Sequence, residues 1–154
     1  RAVLVLTACR DIRDVIASEI RQERRRREFG YPARPQFLDV GYLSRRHGDF
    51  YQAWAPYSSY EFVYERYRRE PQIVVAELID VVSSALPVSV RSPAELCARA
   101  ETGREREMES ALHRTNDGRV RSYTDVLAPH EIEWVEHEWA AWLAAKGNGT
   151  CTKP

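Results

Sequence analysis

The chain has 154 residues, of which 44% are hydrophobic and 30% charged, with 23 basic and 23 acidic side chains. That length and apolar fraction suit a folded domain and exclude a disordered segment. Zero net charge is unlike the positive excess of a dedicated nucleic-acid binder. Only two basic residues are lysines, Lys146 and Lys153, and no Gly-x-Gly occurs before Gly147-Asn148-Gly149. The chain therefore has no glycine-rich phosphate loop of its own.

Three well-separated cysteines, Cys9, Cys97 and Cys151, fit neither a disulfide framework nor a zinc site and suggest a cytoplasmic, thiol-reducing setting. Leu6-Thr7-Ala8-Cys9 has the form of a lipoprotein cleavage box. The apolar stretch before it is too short for a signal segment, and a buried strand is the better reading. No apolar run reaches the ~18 residues of a membrane span.

In chain order, Ala2 to Ala8 is a continuous apolar run, as expected of a parallel strand buried on both faces. Asp11 is placed to cap a helix whose apolar face is Ile12, Val15, Ile16 and Ile20, and which runs through Arg24–Arg27 to stop near Gly30. The arginine run reads as a solvated helix end, with its cations on the favourable side of the helix dipole. Gln36 to Trp54 is expected to be helical, marked by Phe37, Val40, Leu43, Phe50 and Trp54, with Gly48 as a soft spot. Tyr60 to Glu65 is expected to be a second strand. Pro71 should open a helix that buries Ile73, Val74, Leu78, Ile79 and Val82. Ser92 and Glu95 form a capping box for a helix to about Glu107. A polar, turn-rich segment, 113–122, precedes a last helix from Pro129 to Gly147 with Ile132, Val135, Trp139 and Leu143 on one face.

This order is an α/β pattern with few parallel strands and mostly helices. Two strands do not complete a covered sheet, so the partner strands are expected outside this chain, which reads as truncated. Ligands of open parallel sheets lie beyond the carboxyl ends of the strands, where Arg10 falls. Ser18 follows eight residues later, on one side of the helix with Asp11 and Asp14. An arginine fork and a hydroxyl near a helix start suit a phosphate, against the plainer reading of a solvated arginine and a surface serine.

Leu6-Thr-Ala-Cys-Arg-Asp-Ile-Arg-Asp-Val-Ile-Ala-Ser18 resembles the 3′-phosphate-binding motif of the PAPS-dependent sulfotransferases, an apolar strand, R-D-x-R-D-V and a later serine. The commonest form has proline where this chain has Ile12. The resemblance implies a P-loop NTPase-like sulfotransferase fold in which Arg10 and Ser18 bind the 3′-phosphate of the cofactor. Phe62-Val63-Tyr64-Glu65 followed by Arg69-Glu70-Pro71 is similar to the family's next strand and helix, which implies Tyr64 against the adenine. The family's R-K-G-x-x-G-x-W loop aligns on Gly118, with Tyr123 at the tryptophan, Asn116 at the arginine and Arg121 at the second glycine. Arg114 or Arg119 would supply the missing charge, and spacing does not choose between them. The Pro129 helix resembles the family's last one.

The likeness runs from residue 2 to about 147, a partial sulfotransferase domain, leaving 148–154 as a tail. The family's K-x-G-T-T-W phosphosulfate loop, its lysine and its catalytic base belong to a part that this sequence does not contain. The implied reaction passes a sulfuryl group from PAPS, leaving PAP, to a hydroxyl or amine of a small-molecule or carbohydrate acceptor. Phe29 to Pro56, rich in arginines and aromatics, is a candidate acceptor surface, or simply packing. No nucleic-acid or membrane partner is expected. The alternative is a non-catalytic helical protein-interaction module. His130-Glu-Ile-Glu-Trp-Val-Glu-His137 is not a metalloprotease motif, because Trp134 stands where the second histidine belongs.

Overall fold

The structure, a computed structural model, describes residues 4–87, 89, 91–109 and 119–146, with 104–109 described in backbone alone. The described residues are mostly helical with a two-stranded parallel sheet, and they fall into two compact units.

The first unit comprises 1–10 and 50–114. Strands β1 (Leu6–Cys9) and β2 (Tyr60–Val63) pair in parallel, Leu6 opposite Tyr60 and Cys9 opposite Val63. Their entry is fixed by polar side chains. Thr7 Oγ1 and Ser58 Oγ are hydrogen-bonded at 2.6 Å, and the Ser59 N–H donates to Val5 O at 2.8 Å. The expected strand from Ala2, covered on both faces, is corrected here. Ala2 and Val3 lie outside the described residues, and Leu6 is 46% exposed while Cys9 is buried. Among the described residues β1 has a neighbour along one edge only, and its Leu6 and Ala8 face a cleft lined by Phe50, Tyr51 and Trp54.

The second strand is shorter than expected. Helix α3 (Tyr64–Arg69) takes over at Tyr64, where a run of helix-favouring Glu65 and arginines begins, and Tyr67 folds back against Phe62 at 5.2 Å. Pro71 opens helix α4 (Pro71–Ala85) as expected. Its buried contact is Val74; Ile73, expected inside, is 53% exposed because it lies off the face that meets the neighbouring elements. Arg66 forks Glu77, Nη1 to Oε2 at 2.6 Å, and Tyr60 Oη donates to the same carboxylate at 3.3 Å. Helix α5 (Pro93–Glu109) starts with the Glu95 N–H on Ser92 Oγ at 3.3 Å, while the Glu95 carboxylate turns to Arg91. Half of the expected capping box is therefore replaced by an ion pair.

The second unit comprises 11–49 and 115–154. Helix α1 (Ile12–Glu28) is capped by Asp11, whose Oδ1 accepts the Arg13 N–H at 2.9 Å. It buries Ile12, Ile16, Ala17 and Ile20, the expected apolar face, and gives way at Phe29 to Gly30 in a left-handed conformation, φ 77°. The expected helix from Gln36 is interrupted. A 3₁₀ turn, Pro35–Leu38, ends at extended Asp39, which caps helix α2 (Val40–Trp54) by accepting the Tyr42 N–H at 2.8 Å. A short polar residue that satisfies its own backbone is a better cap than a helix interior.

The last expected helix is two, α6 (Pro129–Glu138) and α7 (Ala140–Ala145), separated at Trp139; Gly147 lies outside the described residues. Trp139 is buried with Val135 and Leu143 and donates its indole N–H to Ser44 Oγ at 2.7 Å. Gly48 is the partner that this requires. A Cβ there would stand 1.9 Å from the indole ring, so only glycine admits it. Phe50 and Trp54, expected among the apolar packing marks of this region, are 58% and 46% exposed.

Candidate functional site

At the carboxyl ends of the two parallel strands, in the first unit, Arg10 lies over the Tyr64 ring with its guanidinium carbon 4.8 Å from the centroid. The contact restrains a side chain that would otherwise sample many rotamers. Tyr51 completes this end. Its hydroxyl takes the backbone N–H of Arg10, and its phenol is pushed up to about 12 by burial and by the nearby Cys9 and Glu65, which outweigh Arg10. A neutral phenol is a fixed hydrogen-bonding group at neutral pH. Cys9 and Glu65 are both buried here. Two of the expected site residues, Arg10 and Tyr64, are thus in contact.

Ser18 stands half-buried on α1, in the second unit. The first turn of this helix is a buried polar clasp. Asp14, fully buried, accepts the Arg121 N–H at 2.8 Å, the Ser122 hydroxyl at 3.1 Å and the Tyr123 N–H at 3.0 Å. Arg21, two turns on, donates to Ser122 Oγ at 3.0 Å and also to its carbonyl. Arg121, at φ 63°, takes the left-handed conformation that turns the chain toward these acceptors. The loop before α6 is therefore tied to α1 through Asp14, which takes three donors, and Arg21, which supplies two.

Arg13 forms the second half of the clasp. It is 1% exposed, grips Asp11 through Nε at 2.9 Å and Nη2 at 2.6 Å, and pairs with Glu136 of α6. The buried Tyr123 ring lies against it at 4.6 Å. Burial alone would lower the Arg13 pKa, but the hydrogen bond and charge of Asp11, with Tyr123 and Glu136, raise it above the ordinary value. Asp11 and Asp14 share the Ser18 side of the helix by spacing, yet they are spent on the fold and are not offered to a ligand.

Arg119 is exposed and pairs with Asp125 at 3.2 Å. Arg114 and Gly118 lie outside the described residues. Sequence reasoning missed Tyr51 as an Arg10 partner and Arg13 as an internal strut. The signal for Arg13 is visible in retrospect, since an arginine among two aspartates before an apolar helix face is short of solvent. Among the described residues no three His, Cys, Asp or Glu side chains gather as a metal site, and no helix is long and apolar enough to cross a membrane. No family model matches the chain, and neither the curated proteins nor the solved structures contain a match.

Proposed function

We propose that the chain carries the 3′-phosphate and adenine grip of a PAPS-dependent sulfotransferase built on the P-loop-like α/β fold of that family. The reading rests chiefly on the Asp14 clasp, which ties the loop at 121–123 to the first turn of the helix that bears Ser18. The resemblance assigns Ser18 to the 3′-phosphate and aligns 121–123 with the later part of the family's glycine loop. A further support is the Arg10–Tyr64 stack, a cation and an aromatic ring at one strand end, which suits a phosphorylated adenosine by the chemistry of its donors.

PAPS, when bound, supplies the activated sulfuryl group, and transfer of that kind depends on positioning and electrostatics. In this chain Arg10 and Ser18 would hold the 3′-phosphate, Tyr64 would pack on the base, and Tyr51 would keep Arg10 in place. Arg119, or Arg114, would add charge from the loop, beside Gly118. The sequence has neither the phosphosulfate-loop lysine nor a base of that family, so this chain by itself binds cofactor and transfers nothing.

Titration calorimetry with PAP tests the reading. PAP should bind, adenosine 5′-phosphate should bind at least tenfold more weakly, and Arg10→Ala or Ser18→Ala should each weaken PAP by about tenfold or more. Equal affinity for the two nucleotides, or variants that bind PAP like the parent chain, overturns it. Detection of sulfated product from this chain alone would overturn the division of labour. The other reading, a helical interaction module, draws support from the exposed Phe50, Trp54 and Tyr57, joined ring to ring at 6.3 and 6.4 Å. It predicts no nucleotide binding at all.

A further inference from the structure

The zero net charge hides a separation. Residues 21–46 hold eight arginines against three carboxylates, a surplus of five, and the rest of the chain carries an equal acidic surplus. The arginines of this segment are organised by the second unit. The fully buried Glu23 is approached by Arg34 at 2.9 Å, Arg27 at 3.4 Å and Arg26 at 3.7 Å, so one carboxylate answers three guanidinium groups. Arg34 and Arg46 both stack on Phe37, and Arg26 stacks on Tyr31. Arg24 is exposed, and Arg25 is half-buried over the exposed ring of Phe29.

The acidic counterpart is on α6. Its ten residues include four glutamates and no lysine or arginine. His130, Glu133, Trp134, His137 and Glu138 recur at helical spacing and are all exposed, a continuous outer stripe opposite the buried Val135. Trp134, 41% exposed, stands at the middle of that stripe and lines a cleft of about 600 Å³ with Pro35, Leu38 and Val40. An exposed indole flanked by carboxylates is the environment that an arginine prefers: a ring face for its plane and oxygens for its edge.

We infer that the outer stripe of α6, Glu133–Trp134–Glu138, docks against the arginine-rich end of α1, Arg24 and Arg25 with Phe29, in a second copy of this chain. Each copy offers both surfaces, so a two-fold pair makes the contact twice, and arginine and tryptophan are the residue types that anchor such contacts. Nucleic acid is the other obvious partner for arginines, and the surface fits it poorly. Phe37 is buried beneath two guanidinium groups, and Phe29 and Tyr31 each have a face taken by an arginine, which leaves little ring surface on which to stack bases.

The experiment is sedimentation velocity on the whole chain, with two charge reversals. The parent chain should sediment as a dimer at about 50 mM salt and shift toward monomer at about 1 M, where the screening length falls to ~3 Å. Glu133→Arg/Glu138→Arg should be monomeric, and so should Arg24→Glu/Arg25→Glu. An equimolar mixture of the two should dimerise again, because each reversed surface then meets its complement. A parent chain that stays monomeric at low salt overturns the inference, as does a dimer indifferent to both reversals or a mixture that fails to associate. A parent chain that pairs only when an oligonucleotide is added also overturns it. Arg24, Glu133 and Glu138 are exposed and Arg25 is half-buried, and circular dichroism of each variant checks that the helices persist.

Discussion

Asp14 Oδ1 accepts the backbone N–H of Tyr123 at 3.0 Å, a bond that spans 109 positions of sequence. It belongs to a set of three that one buried carboxylate makes to consecutive residues of the loop before α6. An ionised carboxylate accepts such donors at roughly twice the strength of a neutral group.

Asp14→Ala therefore leaves three donors in the second unit without their acceptor. Leaving a buried polar group unpaired costs ~1–3 kcal/mol, and the loop cannot recover all of it from water. Urea denaturation should show a loss of about 3 kcal/mol, with PAP affinity falling in parallel. A variant as stable as the parent chain would show that the loop is held by other contacts.

Glu23 makes acid sensitivity local. Burial alone would raise its pKa, but the backbone N–H and guanidinium of Arg34, with Arg27, hold it below the ordinary carboxylate value. A group whose folded pKa is depressed contributes stability that is complete above its unfolded pKa, near 4.3, and is lost as pH falls through the folded one. The urea midpoint of the parent chain should thus fall steeply below about pH 4. Glu23→Gln should be less stable at pH 7 and flatter across the acid range; an unchanged acid slope would assign it to other groups.

Gly48→Ala tests the close approach of Trp139. The added methyl meets the indole ring at 1.9 Å, and Trp139 cannot retreat without breaking its 2.7 Å bond to Ser44. Overpacking of this kind costs ~1–3 kcal/mol. The thermal midpoint should drop by several degrees, and Trp139→Leu made in the same chain should cost less than it does alone. Additive losses would mean that the two residues do not share the space.

Tyr64→Ala separates stacking from charge at the strand end. Removal of the ring frees Arg10 and deletes the surface proposed for the base, so PAP should bind about tenfold more weakly, while Tyr64→Phe should retain most of the affinity. Calorimetry at one salt concentration suffices. A Phe variant as weak as Ala would point to the hydroxyl rather than the ring.

Local signals carried far in this sequence. The Asp11 cap, the Ile12–Ile16–Ile20 face and Pro71 at a helix start are all written in neighbouring residues, and each is where it was expected. What failed was of another kind. The break at Asp39 competes with a sound helical pattern, and which wins depends on packing around Phe37 and Val40. The exposure of Leu6 depends on what packs on that face of the sheet, which no residue of β1 encodes. At the site, Arg10 and Tyr64 were legible as candidates. The Asp14 clasp was not, since its donors are backbone N–H groups over a hundred positions away.

The clasp also divides the run from Arg10 to Ser18 into two kinds of position. Asp11, Arg13 and Asp14 are 2%, 1% and 0% exposed, each held by its neighbours in the fold. Selection for a folded chain alone would hold those three in place, ligand or none. Arg10 and Ser18 are half-buried, and Arg10 rests on the Tyr64 ring. An intact Asp–x–Arg–Asp string is therefore a record of architecture, whatever the chain binds.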